Sequence, residues 1–185
     1  GSNSSGLWKS LEEGASWRCM TDSLRVAGMG VNAIAGDPNN PDLIYIATGY
    51  SSESYGSSYG SGVFKSTDGG QSWTSIGPSG RAVYYDLKVL PHAPHIMWGV
   101  SQDRVYRFTH YGDQFRSIPI AGYENRRDGD YRELEVVLDQ TEAVCLATRK
   151  SRALGAEKGS GFLIQYQNGQ FLTSNISPDR TQVMM

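Results

Sequence analysis

The sequence has few of the features that mark membrane, disulfide-rich or nucleic-acid-binding proteins. No uncharged apolar run approaches the roughly 18 residues that a membrane helix needs, so we expect no membrane insertion. The two cysteines, Cys19 and Cys145, cannot define a disulfide framework, and we expect them to be small buried hydrophobic residues because both lie in apolar, strand-like segments. A net charge of -2 gives no electrostatic attraction for nucleic acid.

Motifs for metal, cofactor and nucleophile chemistry are also missing. The three histidines, His92, His95 and His110, show no metal-ligand spacing with a cysteine or a carboxylate, and we expect them to be turn residues. The sequence contains no G-x-S-x-G, no Walker-type glycine loop and no dinucleotide fingerprint. We therefore expect no metal site and no cofactor.

Glycine and aromatic residues are abundant. The chain of 185 residues has 22 glycines, 11 tyrosines and 4 tryptophans, and its apolar residues show almost no helical spacing. This composition predicts an all-β chain that is rich in turns.

The segment Gly62 to Trp73, GVFKSTDGGQSW, carries the clearest motif. It has the pattern S-x-D-x-G-x-x-W over Ser66, Asp68, Gly70 and Trp73. A strand is predicted to end at the serine, the aspartate to cap a tight turn, and glycine to supply the positive φ that the turn requires. Asp68 is thus predicted to hold a turn and to do no chemistry.

Weaker copies of this segment lie on either side of it. Gly6 to Trp17 matches it position for position, with Ser10, Gly14 and Trp17 retained and Glu12 in place of the aspartate. A third copy, Val105 to Phe115, keeps the glycine and the closing aromatic residue. A fourth, Gly161 to Phe171, shortens the turn to Asn-Gly, which is a strong hairpin signal.

A second element repeats in phase with the first. Asp37 to Tyr45 matches Leu90 to Trp98, including both prolines, and Leu43 to Thr48 matches Ala143 to Thr148. Each unit therefore contains four strands in about 40 to 60 residues, a period typical of a propeller blade.

The motif resembles the Asp-box, or BNR repeat, of sialidase-like and sortilin-like β-propellers. VNAIAGDPNNPDLIYIATG followed by GVFKSTDGGQSW is similar to blades of secreted bacterial BNR proteins and of xyloglucan-active glycoside hydrolases. The resemblance covers Gly6 to Phe171. It implies an extracellular, cell-surface or periplasmic protein and a β-propeller of four-stranded antiparallel blades: Gly6 to Met20 in part, Val31 to Gly77, Tyr84 to Ile118, and Tyr131 to Ser174.

These ranges amount to about three and a half blades, whereas closed propellers have typically about 4 to 8. We therefore expect the remaining blades to be supplied by the parent protein or by another chain.

Three long connections are predicted on one face of the blades: Gly49 to Ser61, Pro119 to Asp130, and Arg149 to Ser160. Long loops on a rigid scaffold commonly carry binding sites. The first mixes tyrosine with serine and glycine, which suits a contact surface, so Tyr50, Tyr55 and Tyr59 are candidate ligand contacts. The alternative is a mobile loop of low complexity.

The second connection holds Tyr123, Arg126, Arg127 and Asp128, which are candidate contacts for a carboxylate or a sugar. The alternative is a set of solvated charges that partly pair with one another.

Two functions follow from the resemblance. The first is a module that binds or scaffolds a glycan or a protein through the long-connection face. The alternative is a fragment of a xyloglucanase-like or other glycoside hydrolase, most of which need two carboxylates about 5 to 10 Å apart. The acids expected near the entrance of the first strands are Asp86, Glu124, Asp128 and Asp130. A sialidase is disfavoured because Ser117-Ile118-Pro119 lacks the arginine of the Arg-Ile-Pro motif.

Overall fold

The computed structural model describes residues 5–24, 30–52, 56–78, 82–101, 103–119, 134–138, 144–148 and 161–176. Within these ranges the regular structure consists of strands and a short 3-10 turn at His110–Gly112. No helix there has the length and apolar character to cross a membrane. The strands are β1 Trp8–Lys9, β2 Arg18–Cys19, β3 Val31–Asp37, β4 Asn40–Ser52, β5 Gly56–Ser66, β6 Thr74–Ser75, β7 Tyr84–Val89, β8 Met97–Ser101, β9 Arg104–Thr109, β10 Gln114–Pro119, β11 Leu134–Leu138, β12 Val144–Thr148, β13 Gly161–Gln167 and β14 Gln170–Ile176.

The strands form four antiparallel sheets in chain order. The first sheet contains β1 and β2, the second β3 to β6, the third β7 to β10 and the fourth β11 to β14, and in each sheet sequential strands are neighbours. The predictions of an all-β class and of four-stranded antiparallel sheets are confirmed for the described residues.

The sheets pack face to face. One apolar cluster joins the second and third sheets, and includes Tyr45, Val63, Tyr84 and Phe108. A second cluster fills the space between the first and second sheets, and a third lies between the third and fourth sheets around Trp98. Every residue of β8 is buried, as expected for a strand covered on both faces.

The first strands of successive sheets lie side by side. β3 contacts β7, and β7 contacts β11. The side-chain amide of Asn32 in β3 donates a hydrogen bond to the main-chain oxygen of Tyr84 in β7. The first strands β3, β7 and β11 therefore lie next to one another along one side of the stack.

The expected burial of the cysteines is wrong for Cys19. It lies in β2 and is partly exposed, with its sulfur 3.8 Å from the main-chain oxygen of Ser5 and 3.7 Å from Thr21 Oγ1. β2 is an edge strand of a two-stranded sheet, so an apolar neighbourhood in sequence does not guarantee that the side chain is covered. Cys145 belongs to β12, whose side chains are outside the described set.

The core clusters predict which side-chain truncations lower the free energy of unfolding most. Phe108→Ala is expected to lower the free energy of unfolding by about 3 to 5 kcal/mol, because Phe108 is fully buried between two sheets. Leu11→Ala is the control, since Leu11 is 85% exposed and its removal is expected to change stability by less than about 0.5 kcal/mol. Urea denaturation of the two variants measures the difference, and equal losses would contradict the packing described here.

Candidate functional site

The connection from β4 to β5 is a projecting β-hairpin. After a bulge between Ala47 and Gly49, the two strands stay paired through Gly49 with Tyr59, Tyr50 with Ser58, and Ser52 with Gly56. The prediction of a loop over Gly49 to Ser61 is therefore wrong for the paired residues, while residues 53–55 lie outside the described part. The paired residues include Tyr50 and Tyr59, and tyrosine favours strands.

A buried threonine fixes the base of this hairpin. The Thr48 hydroxyl donates to the main-chain oxygen of Gly62 at 2.9 Å and accepts from the main-chain N–H of Ser61 at 2.7 Å. One side chain thus bonds to the opposite strand twice, across the point where the regular ladder is interrupted by the bulge.

Two glycines bring the base against neighbouring backbone. A side chain on Gly60 would place its Cβ 2.1 Å from the carbonyl carbon of Thr48, which no residue other than glycine avoids. Gly60 donates its N–H to Ala82 at 2.9 Å, and Gly49, with φ of 117°, donates to Gly30 at 2.9 Å. The hairpin is therefore held by main-chain bonds on both of its strands.

Two of the tyrosines predicted as ligand contacts lie on different strands of the hairpin. Tyr59 is half-buried in β5, opposite Gly49. Tyr50 lies in β4 opposite Ser58, so the two tyrosines do not form a cross-strand pair. The other predicted contacts lie outside the described residues, namely Tyr55, Tyr123, Arg126, Arg127 and Asp128.

Among the four acids considered for hydrolysis, Asp86 is the one within the described residues. It follows a register shift in β7, accepts the N–H of Leu87 at 2.9 Å, and lies 3.6 Å from the Lys88 ammonium. Its carboxylate is thus engaged with its own strand. Glu124, Asp128 and Asp130 lie outside the described residues.

A polar network that was not predicted from the sequence closes the turn between β8 and β9, at the same end of the sheets as the hairpin. The buried Ser101 hydroxyl donates to Asp103 at 3.0 Å and accepts from the Arg104 N–H at 3.2 Å, while Arg104 Nε donates to Ser117 at 3.1 Å. A serine two residues before an aspartate, as in Ser66 and Asp68, was the available signal. The polar groups satisfy one another, which favours a structural role.

Two tyrosines pack beneath this turn. The rings of Tyr84 and Tyr106 have centroids 5.5 Å apart, and both side chains are buried. Burial, above all, raises the pKa of each phenol above its usual value, and the charge of Asp103 raises it further. Both phenols therefore stay neutral at physiological pH and contribute packing.

On the opposite end of the sheets, the Ser66 hydroxyl and the Asp68 carboxylate organise the turn between β5 and β6. Ser66 Oγ accepts from Gly70 at 2.8 Å and donates to Asp68 at 2.7 Å. Asp68 Oδ1 accepts from the N–H groups of Gln71 and Ser72, both at 2.9 Å, and Oδ2 accepts from the Ser72 hydroxyl. Bonds from Ser72 above all, then Ser66, hold the pKa of Asp68 well below its ordinary value of 3.8.

The first copy of the motif keeps the serine contacts. Ser10 Oγ accepts from Gly14 at 2.8 Å and from Glu12 at 3.2 Å, as Ser66 does from its equivalents. Glu12 retains one side-chain bond, from Ser16 at 2.9 Å. The longer glutamate therefore bonds the turn through fewer of its neighbours than Asp68 does.

The turn backbone repeats more closely than the side chains. Gly14, Gly70 and Gly112 occupy the same position and have φ of 93°, 94° and 93°. In the third copy the preceding His110 and Tyr111 also have positive φ, although neither is glycine. Tyr111 and Gly112 thus keep the positive φ of the equivalent pairs Glu13–Gly14 and Gly69–Gly70, whereas His110 differs from Glu12 and Asp68, which do not have positive φ. No group of three or more potential metal ligands occurs among the described residues.

Comparisons with known proteins give little. No family model matches the sequence, and no curated protein matches it. Among solved structures, the crystal structure of an ancestral GH74 enzyme matches with 15% identity and a TM-score of 0.45, over 94% of this chain and 28% of that enzyme. The chain thus spans little more than a quarter of the enzyme's length.

The Asp68 turn generates a prediction about pH. Because folding lowers the pKa of Asp68, its ionised form stabilises the fold above the unfolded value of 3.8, and this contribution is lost as the pH falls through the folded value. Asp68→Asn removes the charge at every pH. The stability difference between the two proteins is expected to be largest at pH 7 and to shrink below about pH 4. Denaturation from pH 7 to pH 3 measures it, and a constant difference would contradict the assignment.

The base of the hairpin generates a second prediction. Gly60→Ala is expected to destabilise the chain by about 1 to 3 kcal/mol, because the new methyl group overlaps the Thr48 backbone. Gly36→Ala is the matched strand control, since the nearest atom to its Cβ is the Leu43 oxygen at 3.7 Å, and we expect a change below about 1 kcal/mol. Thermal unfolding compares them, and a Gly60→Ala protein as stable as the control would refute the close approach.

Proposed function

We propose that this chain is part of a β-propeller and acts as a module that binds or scaffolds a glycan or a protein. The proposed contact surface is the end of the sheets that carries the β4–β5 hairpin. The observation that carries the proposal is the construction of this hairpin, whose base is fixed by Thr48, Gly49 and Gly60 while its strands extend beyond the bulge.

A fixed base favours binding because less conformational freedom is lost when a ligand docks. Tyrosine supplies large contact area at low entropy cost, and serine and glycine supply adaptable hydrogen bonds. Residues 49–61 combine these three residue types. The opposite end of the sheets has short turns whose polar groups bond internally, as Asp68 does, and offers less to a ligand.

The sequence that follows β10 would extend the proposed surface. β10 ends at Pro119, on the same side as the hairpin, so the segment with Tyr123, Arg126, Arg127 and Asp128 begins there. These residues would add planar and charged groups that suit a sugar or a carboxylate. The alternative function is hydrolysis of a glycan.

The Asp-box resemblance supports two further parts of the proposal. The protein would act outside the cell, on its surface or in the periplasm, and the remaining blades would come from the parent protein or from another chain. Accessibility of the protein to protease on intact cells tests the location.

The tyrosines test the binding role. Chains with Tyr50→Ala, Tyr55→Ala or Tyr59→Ala are expected to lose at least about tenfold in affinity for the ligand that a glycan array or a protein array identifies for the unmodified chain, since a buried tyrosine contact is commonly worth about 2 kcal/mol. Tyr111→Ala is the control, because Tyr111 is 45% exposed at the opposite end of the sheets.

Turnover of a polysaccharide in a parallel hydrolysis screen would replace the binding role with the hydrolase alternative. Retained affinity in all three hairpin variants, with fold verified by circular dichroism, would rule out the hairpin as the contact surface.

A further inference from the structure

The outer face of the first sheet, defined here by Trp8, Gly14 and Trp17, is exposed where its equivalents are covered. Trp8 occupies the position of Phe64 in the second sheet and Tyr106 in the third. Trp8 is 42% exposed, whereas Phe64 is 5% and Tyr106 is 4% exposed. Phe64 and Tyr106 are buried because each faces the preceding sheet.

The turn glycines show the same difference. A methyl group on Gly70 would lie 3.4 Å from Met20 of the first sheet, and one on Gly112 would lie 2.5 Å from Ile76 of the second sheet. Met20 and Ile76 are equivalent positions of the repeat. The corresponding atom on Gly14 would meet its own Trp17 at 3.8 Å and nothing nearer.

Trp73 contributes a hydrogen bond and apolar packing to the contact between the first and second sheets. The Trp73 indole N–H donates to the main-chain oxygen of Met20 at 2.7 Å, and the ring packs in the cluster between these sheets. Its equivalent Trp17 is 60% exposed. Phe115, the equivalent residue of the third sheet, is 42% exposed although the second sheet covers the third. Exposure of this residue therefore does not show whether a sheet is covered. The conclusion depends on the exposure of Trp8 and on the surroundings of Gly14.

In three sheets a cationic side chain contacts the sheet that follows it in the chain. Lys9, Lys65 and Arg107 occupy one position of the repeat, and each reaches the turn region of the following sheet. Lys9 donates to the Gly69 oxygen at 3.0 Å, Lys65 to Asp113 at 2.7 Å, and Arg107 lies 4.2 Å above the centre of the Tyr166 ring. The turn of the first sheet contains Glu12 and Glu13, which are exposed and would attract such a cation.

We propose that the outer face of the first sheet docks a further four-stranded sheet carried by another stretch of polypeptide. Its third strand would hold a lysine or arginine that reaches the Glu12–Glu13 turn. Its fourth strand would present an aliphatic side chain to Gly14 and a main-chain oxygen to the Trp17 indole N–H. The inference rests on the proposed propeller architecture and specifies which partner the first sheet accepts.

A second copy of this chain does not have the required residues at its last sheet. The repeat places Ile164 at the position of Lys9 and Lys65, and Ser174 at the position of Met20 and Ile76. The cation and the aliphatic side chain are both replaced, which disfavours stacking of two copies end to end.

The test supplies the partner sheet's outer strands within the full chain. A second copy of residues 62–77, with Trp73→Phe in that copy, is fused ahead of Gly1 through a flexible Gly-Ser linker of about 12 residues, which keeps the effective concentration high. The matched control carries Lys65→Glu and Ile76→Ser in the added copy only. The readouts are the indole N–H signals of Trp8 and Trp17 in a ¹⁵N NMR spectrum, assigned with Trp→Phe variants, and acrylamide quenching of both residues.

We expect the Trp17 signal to shift toward that of Trp73, and quenching of Trp8 and Trp17 to fall, in the fusion but not in its control. Unchanged signals, or equal shifts in the control, would overturn the proposal. So would self-association of the unfused chain that Trp17→Arg abolishes, because it would assign the face to a second copy. The ligand-binding role is measured separately on the unfused chain, so failure of one proposal leaves the other distinguishable.

Discussion

The close approach between a turn glycine and the preceding sheet is the constraint on which the stacking depends. Gly70 and Gly112 have φ of 94° and 93°, a conformation that side chains disfavour, and they lie against Met20 and Ile76. A Cβ at Gly112 would also overlap Ile76 at 2.5 Å, whereas one at Gly70 would meet Met20 at a contact distance of 3.4 Å. A substitution at either glycine would strain the turn, and one at Gly112 would also displace Ile76 of the second sheet. At Gly112 the turn conformation and the packing of the neighbouring sheet therefore both favour glycine.

Because of this constraint, one end of the sheets tolerates fewer changes in sequence and length than the other. At the end with the turn glycines, short turns bond internally and to the neighbouring sheet, which leaves little room for change. At the other end, β4 and β5 continue past the last constrained contacts, which Gly49 and Gly60 make with Gly30 and Ala82. New length can be added there without disturbing the stacking, which is why binding surfaces commonly develop at such positions.

Most of the sheet architecture could be predicted because its signals are local. The S-x-D-x-G-x-x-W pattern and the paired prolines repeat in the sequence, and they fix the order of strands around each turn. The pairing of residues 49–52 with residues 56–59 could not be predicted, since Tyr-Ser-Gly composition also suits a loop, and the pairing depends on contacts with distant residues such as Gly30 and Ala82. The partial exposure of Cys19 likewise depends on what covers an edge strand.

The candidate site was harder to predict than the fold. Ser101 and Asp103 form a closed network that resembles the Asp-box turn, although no full motif surrounds them. Tyr50 and Tyr59 lie in similar Tyr-Ser-Gly sequence, yet the strand register pairs Tyr50 with Ser58 and Tyr59 with Gly49.

Two hydrogen bonds between the first two sheets have main-chain oxygens as acceptors. Trp73 bonds to the oxygen of Met20, and Lys9 bonds to the oxygen of Gly69. A carbonyl group is supplied by any amino acid, so mutation at the accepting residue preserves the bond as long as the backbone path is kept. Evolutionary drift is thus tolerated on one side of each contact, and a duplicated repeat can lose most of its sequence identity and still join the stack.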